Sequence, residues 1–236
     1  STIGAIESYL YHKLDYYNKY IDHLICPSNF LANLIKKKYK RSISVVPNFF
    51  EFKKKLNLYN DEDYFLYYGR ISEEKGVQRL PDIFNRAKLK LKIVGKGPIQ
   101  HQFVNSEHVE YLGPLYDEEL YNIVKNAKFV IQPSNGYENC PMTVIEAFSF
   151  GVPVIGPNHS GFRELIINQK TGFLLDFNID DSNLIKMIKQ INMSNVKNMK
   201  SNIINYYKNN LTKNINLKKI LNIYNQIISW PNFDSS

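Results

Sequence analysis

The stretch from Phe129 to Ile155, FVIQPSNGYENCPMTVIEAFSFGVPVI, decides how this chain folds. Residues 129–132 are a short run, apolar up to Gln132, as in a strand buried on both faces of a parallel sheet. Residues 142–150 predict a mostly apolar helix, and 152–155 a second buried strand after the turn at Gly151. Strand, helix and strand in so short a span form a βαβ unit. Between the first strand and the helix lies the polar loop 133–141, which ends in Pro141.

The same alternation extends in both directions. Further strands are expected at 22–26, 42–46, 64–68, 90–94, 109–112 and 172–175, with helices at 28–38, 77–86, 117–126 and 161–166 between them. Helices near 180–190, 196–208 and 217–229 follow. This is the pattern of an α/β domain with a doubly wound, Rossmann-like parallel sheet. Residues 47–63 are polar, open on Pro-Asn and lack a sustained period, so they are expected to be a linker. Residues 64–210 then form one complete domain. Residues 1–46 are too few for a sheet domain of their own and are expected to be the tail end of a larger N-terminal domain; 211–236 form a closing helix and tail.

Composition narrows the function classes. At 236 residues and 44% hydrophobic, the chain can bury a substantial core. Cys26 and Cys140 lie far apart with no Cys or His cluster, which leaves neither a zinc site nor a disulfide framework and suits reduced thiols in a cytoplasmic protein. The net charge of +8 and pI near 9.2 favour anionic partners. Much of that charge is scattered Lys, together with the run Lys36–Arg41. At a helix C-terminus this run suits dipole compensation, or docking on the inner face of an anionic membrane.

Three loops carry the chemistry. Gly69-Arg70-Ile71-Ser72-Glu73-Glu74-Lys75-Gly76 follows the strand 64–68, at the carboxyl edge where open α/β sheets bind ligands. Arg70 can grip a phosphate bidentately, and Lys75 adds a compact second charge. The loop Gly95-Lys96-Gly97-Pro98 starts like a dinucleotide fingerprint but holds Gln100 where a third glycine belongs. In the third, Tyr137-Glu138-Asn139-Cys140-Pro141-Met142-Thr143-Val144-Ile145-Glu146, proline is expected at the first helical position, leaving the Met142 and Thr143 N–H groups free for a phosphate. Glu146 lies about 7.5 Å further along the axis, at a depth suited to a ribose.

Gly69-Arg-x-Ser-x-Glu-Lys-Gly, the pair Glu138-x7-Glu146, Gly151-x-Pro-Val154 and Gly161…Glu164…Thr171-Gly172 together resemble the retaining GT-B glycosyltransferases of family 4, over residues 22 to 190. The resemblance implies that Arg70 and Lys75 bind the diphosphate of a UDP-, GDP- or ADP-sugar. It implies that Glu138 contacts the sugar and Glu146 the ribose. Gly69 and Cys140, Pro141, Met142, Thr143 and Val144 would hold phosphate and sugar, while Gly95 with Leu112 to Leu115 borders the base. Many members have glycine where this chain has Pro141, which has no amide to donate. Transfer in such enzymes needs neither cofactor nor catalytic metal, and no nucleic-acid partner is implied. On this reading the chain is the donor-binding part, inactive without its N-terminal domain.

The residues leave two other functions open. A nucleotide-sugar epimerase of GT-B-like fold would use the same diphosphate grip, and a non-catalytic basic module would bind polyanions or membranes. Asp61-Glu62-Asp63 fits the D-x-D of metal-dependent glycosyltransferases, but it precedes a strand rather than following one and is expected to be a solvated turn.

Overall fold

The computed structural model describes residues 2–52, 62–194 and 196–229. Two helices open the chain, α1 (Thr2–Lys13) and α2 (Tyr16–Tyr20). Strand β1 (His23–Cys26), helix α3 (Asn29–Lys36) and strand β2 (Ser42–Val45) follow, with the strands paired in parallel from His23↔Ser42 to Cys26↔Val45. The main domain then runs β3 (Phe65–Tyr68), α4 (Leu80–Ala87), β4 (Leu91–Val94), β5 (Val109–Gly113), α5 (Asp117–Asn126), β6 (Phe129–Ile131), α6 (Met142–Ser149), β7 (Val154–Pro157), α7 (Ser160–Leu165) and β8 (Gly172–Leu175). Helices α8 (Asp181–Asn192), α9 (Val196–Asn210) and α10 (Lys213–Ile228) close it.

The six strands from β3 to β8 form one parallel sheet in the order β5-β4-β3-β6-β7-β8. The chain winds outward from β3 to β5, then returns to lay β6 on the other side of β3. That reversal is the topological switch point, and it opens a crevice at the carboxyl ends of β3 and β6.

Burial explains why these runs became central strands. All four residues of β3 and all three of β6 are buried, which leaves no place for a charged side chain. Phe65 packs its ring on Phe84 of α4 and on Phe129 of β6, joining a helix layer to the sheet. In α4, Leu80, Ile83, Phe84 and Ala87 are buried, the i, i+3, i+4, i+7 stripe of a helix covering a sheet. On the other flank Phe148 of α6 meets Tyr206 of α9 edge-on.

Two helix starts differ from expectation for local reasons. The helix expected at 77–86 is a 3-10 turn, Val77–Arg79, followed by α4. Gly76 enters it at φ 67°, and Pro81 confines the α-helix start to its own first turn. Pro141 is the N-cap of α6, with extended backbone, one position earlier than expected.

Residues 47–52 of the expected linker are fastened down. Asn216 Nδ2 donates to the Pro47 carbonyl at 2.8 Å, Tyr207 Oη donates to the Phe50 carbonyl, and the Phe50 and Phe52 rings contact Tyr121 and Phe150. The linker's residues 53–61, and 230–236 of the expected tail, lie outside the described residues. Among the described residues no helix is long and apolar enough to cross a membrane.

Candidate functional site

The loops that leave β3, β4, β5 and β6 meet over the switch point. Backbone pairing continues past the strands: Gly69 N–H donates to the Val94 carbonyl, Gly95 N–H to the Gly113 carbonyl and Ile71 N–H to the Lys96 carbonyl. A Cβ on Gly95 would stand 1.8 Å from the Gly69 carbonyl oxygen, at a φ of 143°. Glycine at 95 is therefore imposed by the neighbouring backbone.

Above these loops lies one cleft with two chambers. The larger, about 750 Å³, is lined by Gly69, Arg70, Gly95, Lys96, Leu115 and Tyr116 among others. The smaller, about 560 Å³, is lined by Gly69, Arg70, Lys75, Glu138, Cys140, Pro141, Met142 and Thr143 among others. Tyr68, Gly69 and Arg70 border both and form the ridge between them.

Ten expected site residues thus share a cleft, and three stand back from it. Leu112 packs half-buried against the core. Val144 is fully buried, with its N–H turned to the Pro141 carbonyl at 3.1 Å. Glu146 is partly buried one turn below the helix start, behind Tyr68. Lys96, Tyr116 and Tyr68 were not singled out from sequence. Lys96 stands between two glycines with no motif to mark it, and its Nζ lies 6.0 Å from the Tyr116 ring centre at the rim.

Charge is distributed unevenly. Lys75 is ion-paired with Glu138, and both side chains are largely sheltered, at 29% and 24% exposure. Arg70 is 67% exposed and only 3.9 Å from Glu74, a surface pair of little energetic weight that leaves its guanidinium open to a ligand. The first-turn N–H groups of Met142 and Thr143 supply a partial positive charge at the chamber wall.

Tyr68 organises the floor. Its one hydroxyl hydrogen is shared between the Thr143 carbonyl, at 2.7 Å, and the neighbouring Glu146 carboxylate. Burial pushes the Glu146 carboxyl above its ordinary range, and the Tyr68 hydroxyl pulls it part of the way back. Tyr68→Phe is expected to cost about 1–2 kcal/mol, a Tm loss of about 2–6 °C, by removing the one donor that these two acceptors share. The loss should shrink below about pH 4, where a protonated Glu146 no longer requires a donor. A pH-independent loss in thermal unfolding would refute this account of Tyr68.

The backbone of Glu138 is held from behind by α7. Glu138 N–H donates to Ser160 Oγ at 3.3 Å, and Gly161 N–H donates to the Glu138 carbonyl at 2.7 Å. Ser160 adopts φ 50°, a left-handed conformation that costs a serine free energy. Gly161 is required because a Cβ there would meet the Asn139 carbonyl oxygen at 2.2 Å.

The remains of the D-x-D motif lie elsewhere. Asp61 is outside the described residues, whereas Glu62 and Asp63 sit at the amino end of β3, the opposite edge of the sheet. There they pair with Lys92 at 3.8 Å and Lys128 at 2.7 Å. Among the described residues no cluster of His, Cys, Asp and Glu is placed to hold a metal ion.

Fold and cleft together define a doubly wound domain of the glycosyltransferase type, with its binding crevice at the switch point. Residues 48–210 match the family of glycosyl transferases group 1, and the chain belongs to that family. An uncharacterized glycosyltransferase of Methanocaldococcus jannaschii is 28% identical over 179 residues, covering 72% of this chain and 50% of the relative. A GDP-mannose-dependent alpha-mannosyltransferase of Mycolicibacterium smegmatis is 36% identical over 110 residues, covering 46% and 29%. The chain spans about half the length of the first of these relatives. Among solved structures, a glycosyltransferase from Rickettsia africae shares the fold at a TM-score of 0.74 and 21% identity, over 93% of this chain and 67% of that one.

Proposed function

We propose that this chain binds a nucleotide-diphosphate sugar and is the donor half of a retaining, family 4 glycosyltransferase of GT-B fold. The observation that carries the reading is the smaller chamber, where two cations, an acid and a helix start converge on a space of about 560 Å³. The diphosphate lies between Arg70, Lys75 and the Met142 and Thr143 amides. The base occupies the larger chamber, against Gly95 and Leu115, and the sugar reaches Glu138. Glu146 accepts hydrogen bonds from the ribose.

In transfer, negative charge grows on the departing diphosphate. Fixed cations and helix N–H groups stabilise such charge without a metal ion. The leaving phosphate can take the acceptor's proton, and no protein nucleophile is required. The acceptor, a glycan or lipid-linked sugar, is held by the N-terminal domain of the whole enzyme. The basic run Lys36–Arg41 is a candidate contact with a membrane surface.

The test is thermal unfolding with UDP-glucose, GDP-mannose and ADP-glucose, each with and without EDTA. A donor at a hundredfold excess over its Kd should contribute about 2.7 kcal/mol and raise Tm by roughly 5–10 °C. The rise should survive EDTA and persist in Asp61→Ala. No rise with any of the three would refute donor binding, and a rise abolished by EDTA would refute metal independence.

A further inference from the structure

The start of helix α3 is capped by a residue far away in sequence. Ser28 Oγ accepts from Leu31 N–H at 3.2 Å, as an N-cap serine commonly does. The two N–H groups that Ser28 leaves, those of Asn29 and Phe30, both donate to the Glu164 carboxylate on α7. The Asn29 contact is 2.8 Å, and Asn29 Nδ2 adds another at 3.0 Å. An acid at a helix N-terminus also meets the positive end of the dipole. Glu164 therefore completes a helix of the N-terminal segment from within the main domain.

Phe30 is held a second time. Its ring lies 5.4 Å from the ring of Tyr137, the residue before Glu138. One residue of α3 is thus touched along two routes that both begin at Glu138. The first runs through Tyr137, and the second through Ser160 and Gly161 into α7 and on to Glu164.

Lys75 is paired with Glu138. A diphosphate shares Lys75 with Glu138, which weakens the hold on the Glu138 side chain and changes the load on the 137–139 loop. That loop is clamped to α7, with no room for a Cβ at Gly161. A shift in the loop is therefore passed to α7 and to the Tyr137 ring rather than absorbed.

We propose that α7 couples donor occupancy to the docking of the N-terminal segment, with Glu164 as the positioning residue that joins them. The proposal rests on the donor reading above. Its consequence for a two-domain enzyme is that a bound nucleotide sugar tightens the hold on the acceptor-side segment.

Amide exchange of Asn29 and Phe30 reports this directly, because first-turn amides have no intrahelical partner and owe their protection to Glu164. We expect a saturating nucleotide sugar from the three-donor panel to raise their protection about three- to tenfold in the whole chain. Glu164→Ala should lose the basal protection and the response, and by reciprocity bind the donor more weakly by the same factor. Glu164→Gln, which keeps one acceptor oxygen, should restore part of both. Tyr137→Ala, at a 79% exposed position, should keep basal protection but respond less. Wild-type protein that binds the donor with Asn29 and Phe30 exchange unchanged would overturn the coupling. So would Glu164→Ala with undiminished donor affinity. Absence of any donor-induced Tm rise in wild type would instead remove the donor reading itself, and the coupling with it.

Discussion

Lys75→Ala is expected to weaken nucleotide-sugar binding by two to three orders of magnitude, more than any other single change in the cleft. The size follows from its pairing. Lys75 and Glu138 shelter one another in the smaller chamber, each less than a third exposed. Removing the lysine deletes a charge-assisted phosphate contact, about 1.5–3 kcal/mol. It also leaves the Glu138 carboxylate without its counter-ion beside the diphosphate, where like charges repel. Arg70→Ala should cost only the first of these, about ten- to a hundredfold, because the weak pair with Glu74 sits in solvent.

The two parts can be separated. In Lys75→Ala/Glu138→Gln the repulsion is gone, so about tenfold of the lost affinity for the nucleotide diphosphate should return, while sugar transfer by the whole enzyme should not. Two contacting residues should be non-additive in this way. Calorimetric titration of the four proteins decides it. Wild-type affinity in Lys75→Ala would remove lysine from the diphosphate grip, and strict additivity would remove the repulsion.

Much of this cleft could be read from sequence because its parts are local. Strands buried on both faces exclude charged residues, so runs such as Phe65–Tyr68 and Phe129–Ile131 announce themselves to within a residue. The loops that follow them hold Arg70, Lys75 and Glu138, and chain order alone places these at one sheet edge. Strand order is another matter. Nothing within β6 says that it pairs with β3, because Phe65↔Phe129 is a match between distant apolar residues that any other buried strand could imitate.

The remaining misses have the same origin. Leu112 and Leu115 both pack against the core, but across the left-handed turn at Gly113 only Leu115 also lines the chamber. Tyr68 reads as one more aromatic strand residue until α6 places the Thr143 carbonyl above its hydroxyl. Glu164 belonged to a recognisable string, but its partners at Asn29 and Phe30 are far away in the chain and appear only once the domain is folded.

Glu146 offers the second large effect, with opposite signs for stability and binding. Burial has raised its carboxyl above the ordinary range, so ionisation at neutral pH costs the folded protein free energy. The sign follows by linkage. Relative to the unfolded chain, the raised group is at its most favourable below the ordinary carboxylate range, and that contribution is lost as pH rises through the folded-state pKa. Glu146→Gln removes the ionised form and should raise Tm at pH 7 by about 1–4 °C. The gain should vanish near pH 4, where the wild-type carboxyl is protonated as well. For binding, Glu146→Ala should cost ten- to a hundredfold, the worth of hydrogen bonds from ribose hydroxyls to a charged acceptor. The two effects share one cause, since an acid held at a cost behind Tyr68 is an acid prepared for hydroxyl donors. A donor analogue lacking the ribose 2′- and 3′-hydroxyls separates this role from general damage to α6. Wild type and Glu146→Ala should bind that analogue alike, because neither can make the contact. If the alanine variant still binds it ten- to a hundredfold more weakly than wild type does, Glu146 supports the helix start rather than the ribose.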